Sequence, residues 1–192
     1  MRSRSDRRVL LRPRYWVFVL RYLWVFKLRS RHIATSGFVF LDRGSEIYCR
    51  RGLGHLEIGR FVWVGRGTAI RCHEGFMRIG DKAVFGQNDH VNCYLDVEIG
   101  RECIVGDWVY VGDFDHRFDD PSLPIRKQGI VATPVQVGAD CWIGEKASVL
   151  RGVTVGRGSV IGAHAVVTRD LPAGSVAAGV PARVIKRRGI PE

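Results

Sequence analysis

Residues 137–167 read VGADCWIGEKASVLRGVTVGRGSVIGAHAVV, and an aliphatic residue returns at every sixth position of this stretch. Four positions after each aliphatic residue stands a side chain that is usually small. A period of six matches neither an amphipathic helix nor a simple alternating strand. It predicts a triangular solenoid, in which each hexad supplies one short strand and one turn and three hexads complete one coil. The aliphatic positions are Val137, Ile143, Val149, Val155, Ile161 and Val167.

The same pattern extends upstream, from Ile58-Gly59 to Val111-Gly112. We expect the aliphatic side chains to point inward and to stack on their counterparts in adjacent coils. We expect the small residues to fill the tight interior near a corner. Gly follows most of the aliphatic residues. We interpret it as the residue that adopts a turn conformation which a β-carbon would disfavour.

The largest break in the pattern lies between Val111 and Val137. The segment 113–136 has little periodicity, and a long irregular segment in a compact domain is usually functional. We predict a loop that protrudes from the side of the solenoid and reaches a neighbouring surface.

The positive charge is concentrated at one end of the chain. The 192 residues carry a formal net charge of +11, of which residues 1–31 contribute +9 through ten Lys or Arg and one acid. The rest of the chain is nearly neutral, which argues against a uniformly basic groove for nucleic acid. No nucleic-acid partner is expected.

Residues 1–31 are also rich in aromatic residues between positions 15 and 28. The apolar stretch is too short to span a bilayer, and it lacks the cleavage site of a secretory signal. A helix here could pack against the main domain or lie on an anionic membrane, and a nucleic-acid arm is a third interpretation. We expect a cytoplasmic protein, with association at the inner face of the membrane as a possibility.

The five cysteines are odd in number, and none forms a C-x-x-C pair. This pattern favours buried thiols in a reducing compartment over a disulfide framework or a zinc site. We divide the chain into a basic aromatic N-terminal segment that is helical in part (1–50), the β-helix (51–175) with its loop at 113–136, and a C-terminal tail (176–192).

The repeats, together with a loop that contains a His, resemble the hexapeptide-repeat acyltransferases, above all the maltose/galactoside and polysaccharide O-acetyltransferases. The resemblance covers about residues 56–186. Its most specific motifs are C-W-I-G, G-V-T-V-G, V-I-G-A, V-V-T-R-D and A-A-G-V-P-A-R-V-I. It implies an all-β, left-handed parallel β-helix, and the hand comes from the resemblance alone, since general chirality rules favour right-handed crossovers.

The resemblance also implies an acyltransferase, with residues 51–175 as the catalytic domain and acetyl-CoA as donor. It implies a sugar or glycan hydroxyl as acceptor, no metal, and a homotrimer with active sites between subunits. His116 would be the general base and Asn92 would contact the acceptor; Asp89 and His90 beside it would help to line the acceptor pocket. This chain has Asp-Phe-Asp at 113–115, before the His, where the family has a Thr-rich turn. The expected CoA-binding residues are Trp142, Gly144, Ala163, Thr168, Arg169 and Arg183.

Plainer interpretations stay open for three of these residues. Asn92 could be a polar rung of the solenoid, Trp142 a residue of the trimer interface, and Arg183 a solvated or ion-paired side chain. A serine or nucleotide-sugar N-acyltransferase is an alternative activity, and a membrane-tethered scaffold is a non-enzymatic one. A trimeric γ-type carbonic anhydrase needs three converging His, and residues 117–136 supply no second His after His116.

Overall fold

The structure is a computed structural model that describes residues 13–29 and 33–189. It contains one α-helix, α1 (Pro13–Tyr22), continued by a π-helical segment (Leu23–Arg29), and a short 3-10 turn (Ile125–Lys127). The remaining elements are short strands. They are β1 (Ala34–Thr35), β2 (Val39–Leu41), β3 (Glu46–Cys49), β4 (Gly54–Ile58), β5 (Val62–Val64), β6 (Ala69–Cys72), β7 (Gly75–Ile79), β8 (Val84–Phe85), β9 (His90–Cys93), β10 (Asp96–Ile99), β11 (Ile104–Val105), β12 (Tyr110–Gly112), β13 (Phe114–His116), β14 (Ile130–Ala132), β15 (Val135–Val137), β16 (Trp142–Ile143), β17 (Ser148–Val149), β18 (Thr154–Val155), β19 (Val160–Ile161), β20 (Val166–Val167), β21 (Ser175–Ala178) and β22 (Arg183–Arg187).

Three sheets form the sides of a solenoid, which confirms the predicted β-helix. Face A has the strand order β1-β4-β7-β10-β15-β18, and face C has the order β3-β6-β9-β12-β17-β20. Face B has the order β2-β5-β8-β11-β16-β19-β21-β22. Each strand of a face pairs in parallel with its counterpart one coil away, apart from the antiparallel pair β21–β22. The chain therefore visits the faces in the order A, B, C, and each coil rests on the one before it.

The interior holds the residues that the hexads predict. The aliphatic positions from Ile58 to Val167 are buried, and so are the small residues near the corners, such as Ala83, Ala147 and Ala165. All five cysteines are buried thiols. Because each coil hides its apolar surface only against its neighbours, the stack is one continuous core.

The hexad glycines have a different role from the one expected. None of the hexad glycines from Gly59 to Gly162 has a positive φ. Instead, a β-carbon at most of them would run into the backbone of the next coil: at Gly80 it would lie 2.3 Å from Arg101 N, and at Gly156 2.3 Å from Ala173 N. The expectation of a special turn conformation at these positions was wrong; the constraint is close approach between coils.

The left-handed turn conformation falls two residues after these glycines, mostly on other residue types. Eight such residues that are not Gly have φ between 57° and 62°. An L-residue pays an energetic penalty in this region. Here the neighbouring coils fix the corner and impose it. The eight are Phe61, Lys82, Asn88, Glu102, Trp108, Asp140, Lys146 and His164.

The β-helix begins earlier than residue 51. Strands β1, β2 and β3 pair with β4, β5 and β6, so the first coil starts at Ala34. Ser36 and Asp42 stand where the next coil has Gly59 and Gly65, which removes the aliphatic-Gly signal. At the other end the expected tail also contributes structure, since β21 closes face B and β22 pairs with it.

The N-terminal helical region docks on face B. The Phe18 ring lies 5.1 Å from Trp63 and 6.1 Å from Phe40, and the Tyr22 ring lies 4.9 Å from Phe38. Arg21 Nη1 donates a hydrogen bond to Leu41 O at 3.2 Å. The N-terminal helical region thus packs against the main domain. This is one of the interpretations that the sequence left open. Within the described residues, no helix has the length and apolar character needed to cross a membrane.

The stacking constraint makes a prediction about two residues of one turn. Gly80→Ala should destabilise the β-helix by about 1–3 kcal/mol or more, because the added carbon meets only backbone atoms of the next coil. Lys82→Gly, two residues later, should be near neutral, because it removes an exposed ion pair with Glu102 and relieves a positive φ of 58°. Urea unfolding followed by circular dichroism measures both. Equal losses for the two variants would contradict the close-approach explanation.

Candidate active site

The predicted loop 113–136 is a β-hairpin arm that leaves the corner between faces C and A. Strands β13 and β14 pair antiparallel, with His116 opposite Ile130. Arg151 fixes the base of the arm, donating from Nε to Asp115 Oδ2 at 2.5 Å. Thr133 N also donates to Asp113 O at 2.8 Å. His116 therefore projects from a short strand, and its imidazole is exposed.

Asp113 ties the arm to the preceding coil. Its buried carboxylate accepts hydrogen bonds from three consecutive backbone amides, Tyr94 N at 2.9 Å, Leu95 N at 2.7 Å and Asp96 N at 2.8 Å. Three such bonds satisfy the charge without a cation. The sequence placed Asp113 in the loop without indicating this role. A signal was available, since Asp113 directly follows the last regular Gly before the break.

Asn92 lies one coil before the arm on face C. It is half-buried on the outer surface of β9, in register with Arg71 of β6 and Gly112 of β12. The strand that runs from Gly112 into β13 therefore passes directly over the strand of Asn92. The structure thus places Asn92, the residue predicted to contact the acceptor, on the side from which the arm projects.

Asp89 does not line this surface. It is fully buried, and its Oδ1 accepts a hydrogen bond from Val109 N at 2.8 Å. Its Oδ2 has no hydrogen-bond partner among the described residues. Burial raises the pKa of the Asp89 carboxyl to about 7. The expectation that Asp89 helps to form an acceptor pocket was wrong, because its position in the hexad points inward.

Trp142 points outward from face B, as strand alternation predicts, and 53% of it is exposed. Its neighbours in register are Ile104 and Val160. Gly144 and Ala163 follow at the corner between faces B and C. A β-carbon on Gly144 would lie 2.6 Å from Ala163 N, so the structure gives Gly144 a packing role and leaves Ala163 exposed above it.

The remaining predicted CoA residues are exposed and lie near the C-terminal end of the solenoid. Thr168 and Arg169 form the turn after β20, at the corner between faces C and A. Arg183 lies in β22, at the edge of face B, and donates from Nη1 to Ala182 O at 3.0 Å. Within residues 13–29 and 33–189 no carboxylate lies within ion-pair distance of Arg183, so the described residues do not supply the partner that the ion-paired interpretation needs.

These residues do not form one cluster. His116 and Asn92 belong to the C–A side, whereas Trp142, Ala163 and Arg183 belong to face B and the B–C corner. In the part of the chain that the structure describes, no hydrogen bond, ion pair or ring contact joins the two groups. The described His, Cys, Asp and Glu side chains also do not gather into a group that could hold a metal ion.

Residues 134–169 match a family model described as bacterial transferase hexapeptide, six repeats. The matched residues cover β15 to β20, and the same fold continues below them.

Two curated relatives are similar over much of the chain. A protein named as a probable acetyltransferase of Mycobacterium tuberculosis is 52% identical over 173 residues, 89% of this chain and 58% of that protein. WbbJ of Escherichia coli, which carries the name of a lipopolysaccharide biosynthesis O-acetyl transferase, is 33% identical over 116 residues, 54% of this chain and 59% of that protein. The chain thus spans somewhat over half the length of each relative.

A solved structure shares the fold. The hexapeptide-repeat acetyltransferase VCA0836 of Vibrio cholerae, complexed with acetyl coenzyme A, has a TM-score of 0.59 at 21% identity. The match covers 84% of this chain and 75% of that chain. At this identity the likeness concerns the fold.

Proposed function

We propose that this protein is an O-acetyltransferase that moves an acetyl group from acetyl-CoA to a hydroxyl of a sugar or glycan, with His116 as general base. The observation that carries the proposal is the position of His116, an exposed imidazole held by a pinned hairpin arm on the side of Asn92. The names of the relatives support acetyl transfer, and the name of WbbJ supports a carbohydrate hydroxyl as acceptor.

The chemistry needs a base at this place. A sugar hydroxyl is a poor nucleophile at neutral pH, so the imidazole of His116 removes its proton as the oxygen attacks the thioester carbonyl. The carbon–sulfur bond then breaks, and the imidazolium gives the proton to the departing thiolate. The products are an O-acetyl ester and the thiol of CoA, and no covalent enzyme intermediate is required. The Asn92 amide can both donate and accept, which suits it to orient the acceptor.

The second group of residues fits the donor. The exposed indole of Trp142 offers an apolar surface to the pantetheine arm, and the small side chain of Ala163 lets that arm approach the backbone. Arg183 has a guanidinium that can bind phosphate through paired N–H groups. Thr168 and Arg169 would supply further polar groups at the same end of the solenoid, but from the other side, the corner between faces C and A.

Because the two groups lie on different sides of one chain, we propose that the active site forms between subunits of a homotrimer. The His116 arm of one subunit would face the Trp142 surface of its neighbour. A ring of identical head-to-tail contacts gives three equal sites. This arrangement also covers the exposed apolar side chains of face B, Val84, Ile104 and Trp142.

The first prediction concerns the base. His116→Ala should lower kcat/KM about 10²–10⁴-fold while acetyl-CoA binding persists, because it removes proton transfer and leaves the donor surface intact. Thiol release and product analysis measure the effect. Hydroxylamine should cleave the product if it is an ester, and resistance would favour the N-acyltransferase alternative.

His55→Ala is the matched control, since His55 is an exposed His on face A, away from the arm. It should retain wild-type kinetics. Unchanged activity in His116→Ala would remove His116 from the mechanism.

The second prediction concerns the split site. His116→Ala chains mixed with Trp142→Ala/Arg183→Ala chains in equal amounts should regain activity, although each variant alone is nearly inactive. Random assembly leaves about a quarter of the sites with an intact arm and an intact donor surface. If each site lay within one chain, every site would carry a defect and mixing would restore nothing. That result would contradict the inter-subunit site.

We also propose a peripheral membrane contact through the N-terminal region. The helical region docks through Phe18, Tyr22 and Phe26, and its opposite side exposes an apolar stripe. The stripe occurs together with the net charge of +9 on residues 1–31. An apolar stripe that contains Trp, with Lys and Arg beside it, is typical of helices that lie on anionic membrane. The stripe consists of Trp16, Leu20, Leu23, Trp24 and Leu28.

Flotation with vesicles tests this contact. The protein should float with vesicles that contain phosphatidylglycerol and much less with phosphatidylcholine alone, because charge attraction and apolar burial act together. Trp16→Ser/Trp24→Ser should weaken partitioning at least about tenfold, since it removes two large apolar side chains from the interface.

Trp108→Ser is the matched control, because Trp108 is 56% exposed, close to the 58% of Trp16 and the 60% of Trp24, but lies on a corner of the solenoid. It should float like the wild type. Failure of the wild type to float with either vesicle would remove the membrane contact.

A further inference from the structure

An aromatic ladder with one ring per coil starts at Tyr48 on face C and continues along the corner between faces C and A. The ring centroids of Tyr48 and His73 lie 5.6 Å apart, those of His73 and Tyr94 4.8 Å, and those of Tyr94 and Phe114 4.5 Å. We call these four residues the corner ladder. It begins in the first coil and ends in the first residue of the arm.

The upper end of the corner ladder meets His116. The Phe114 and His116 rings lie 6.3 Å apart, edge to face. Adjacent strands of a face are spaced by about 4.8 Å, so four rungs extend over about 14 Å. The corner ladder is therefore longer than one sugar ring and leads directly to the proposed base.

Both apolar and polar groups line the corner ladder. Tyr48 is 40% exposed, and His73, Tyr94 and Phe114 are half-buried. Beside them on face C stand Arg71 and Asn92, in register with each other. Arg71 is held by two hydrogen bonds to Glu46, at 3.1 Å and 2.6 Å. Sugar rings present the same mixture, with apolar C–H surfaces and a rim of hydroxyls.

We propose that the corner ladder binds a linear glycan several sugar residues long and delivers its acceptor hydroxyl to His116. The proposal rests on the proposed acetyl transfer, and it identifies the acceptor as an oligosaccharide or polysaccharide rather than a free monosaccharide. Tyr48 and His73 would contact sugar residues remote from the reacting one. Tyr94 and Phe114 would contact those next to it.

Rings of adjacent coils also stack at a second place, away from the corner ladder. On face A, His55 stacks on Phe76 with centroids 4.9 Å apart and an interplanar angle of 11°. Among the described residues this stack has two rungs, and its face carries no arm. It therefore serves as an internal control for the contribution of ring stacking to stability alone.

Binding is measured first, so that it does not depend on turnover. Catalytically disabled His116→Ala protein is applied to an array of immobilised neutral and acidic glycans, from one to six sugar residues long. We expect binding to increase with length up to several residues. Adding Tyr48→Ala/His73→Ala to this background should weaken binding of the long glycans about tenfold, because two aromatic contacts with the glycan are lost.

Adding His55→Ala/Phe76→Ala instead should leave binding unchanged. If that pair lowers binding equally, the loss reflects stability and the corner-ladder proposal is wrong. Absence of binding to any oligosaccharide, or binding without dependence on length, would also overturn it.

Kinetics separate this proposal from the proposed function. With a glycan that the array identifies, Tyr48→Ala/His73→Ala should raise KM for the long form about tenfold, with little change in kcat. Its slow release of thiol from acetyl-CoA without acceptor should match the wild type, since neither residue touches the donor surface. An inactive wild type that still binds long glycans through the corner ladder would refute acetyl transfer and leave the glycan track standing.

Discussion

The close approach of consecutive coils governs this structure. Hexad glycines such as Gly80 and Gly100 lie against the backbone of the next coil, where no β-carbon fits. These close contacts follow the strands of faces A and B, and the parallel register of all three faces stacks the aliphatic residues into one core. The close approach also imposes the left-handed conformation on residues such as Lys82 and Trp108, because a corner fixed from above and below leaves the chain no other path.

The same regularity determines where chemistry can be placed. Inward positions are used by packing, so functional groups lie on outward positions and at breaks in the repeat. Asp89 is a polar residue at an inward position. Burial disfavours its charged form and raises the pKa of its carboxyl to about 7. Asp113 sits at the break, where its carboxylate replaces a regular turn by binding three amides of the preceding coil. The arm that carries His116 starts there.

A solenoid also distributes its outward residues over different faces. Asn92 lies on face C and Trp142 on face B, because each hexad turns the chain by a third of a coil. The proposed site needs an arm from one side and a smooth surface from another, so it would be incomplete in one chain, and in the proposed trimer a second copy would supply the missing part. The corner ladder shows the opposite effect of the same stacking. Residues far apart in sequence, from Tyr48 to Phe114, become neighbours in space.

The sequence by itself determined the period, the inward and outward positions, and the break that holds His116. These follow from side-chain size and polarity at fixed spacing, which are local properties. It did not reveal the first coil, where Ser36 and Asp42 replace the glycines. It did not reveal the true role of the glycines or of Asp113 either. Only the tertiary structure decided those points and joined Tyr48, His73, Tyr94 and Phe114 into one track, because contacts between coils depend on the stacking of distant segments.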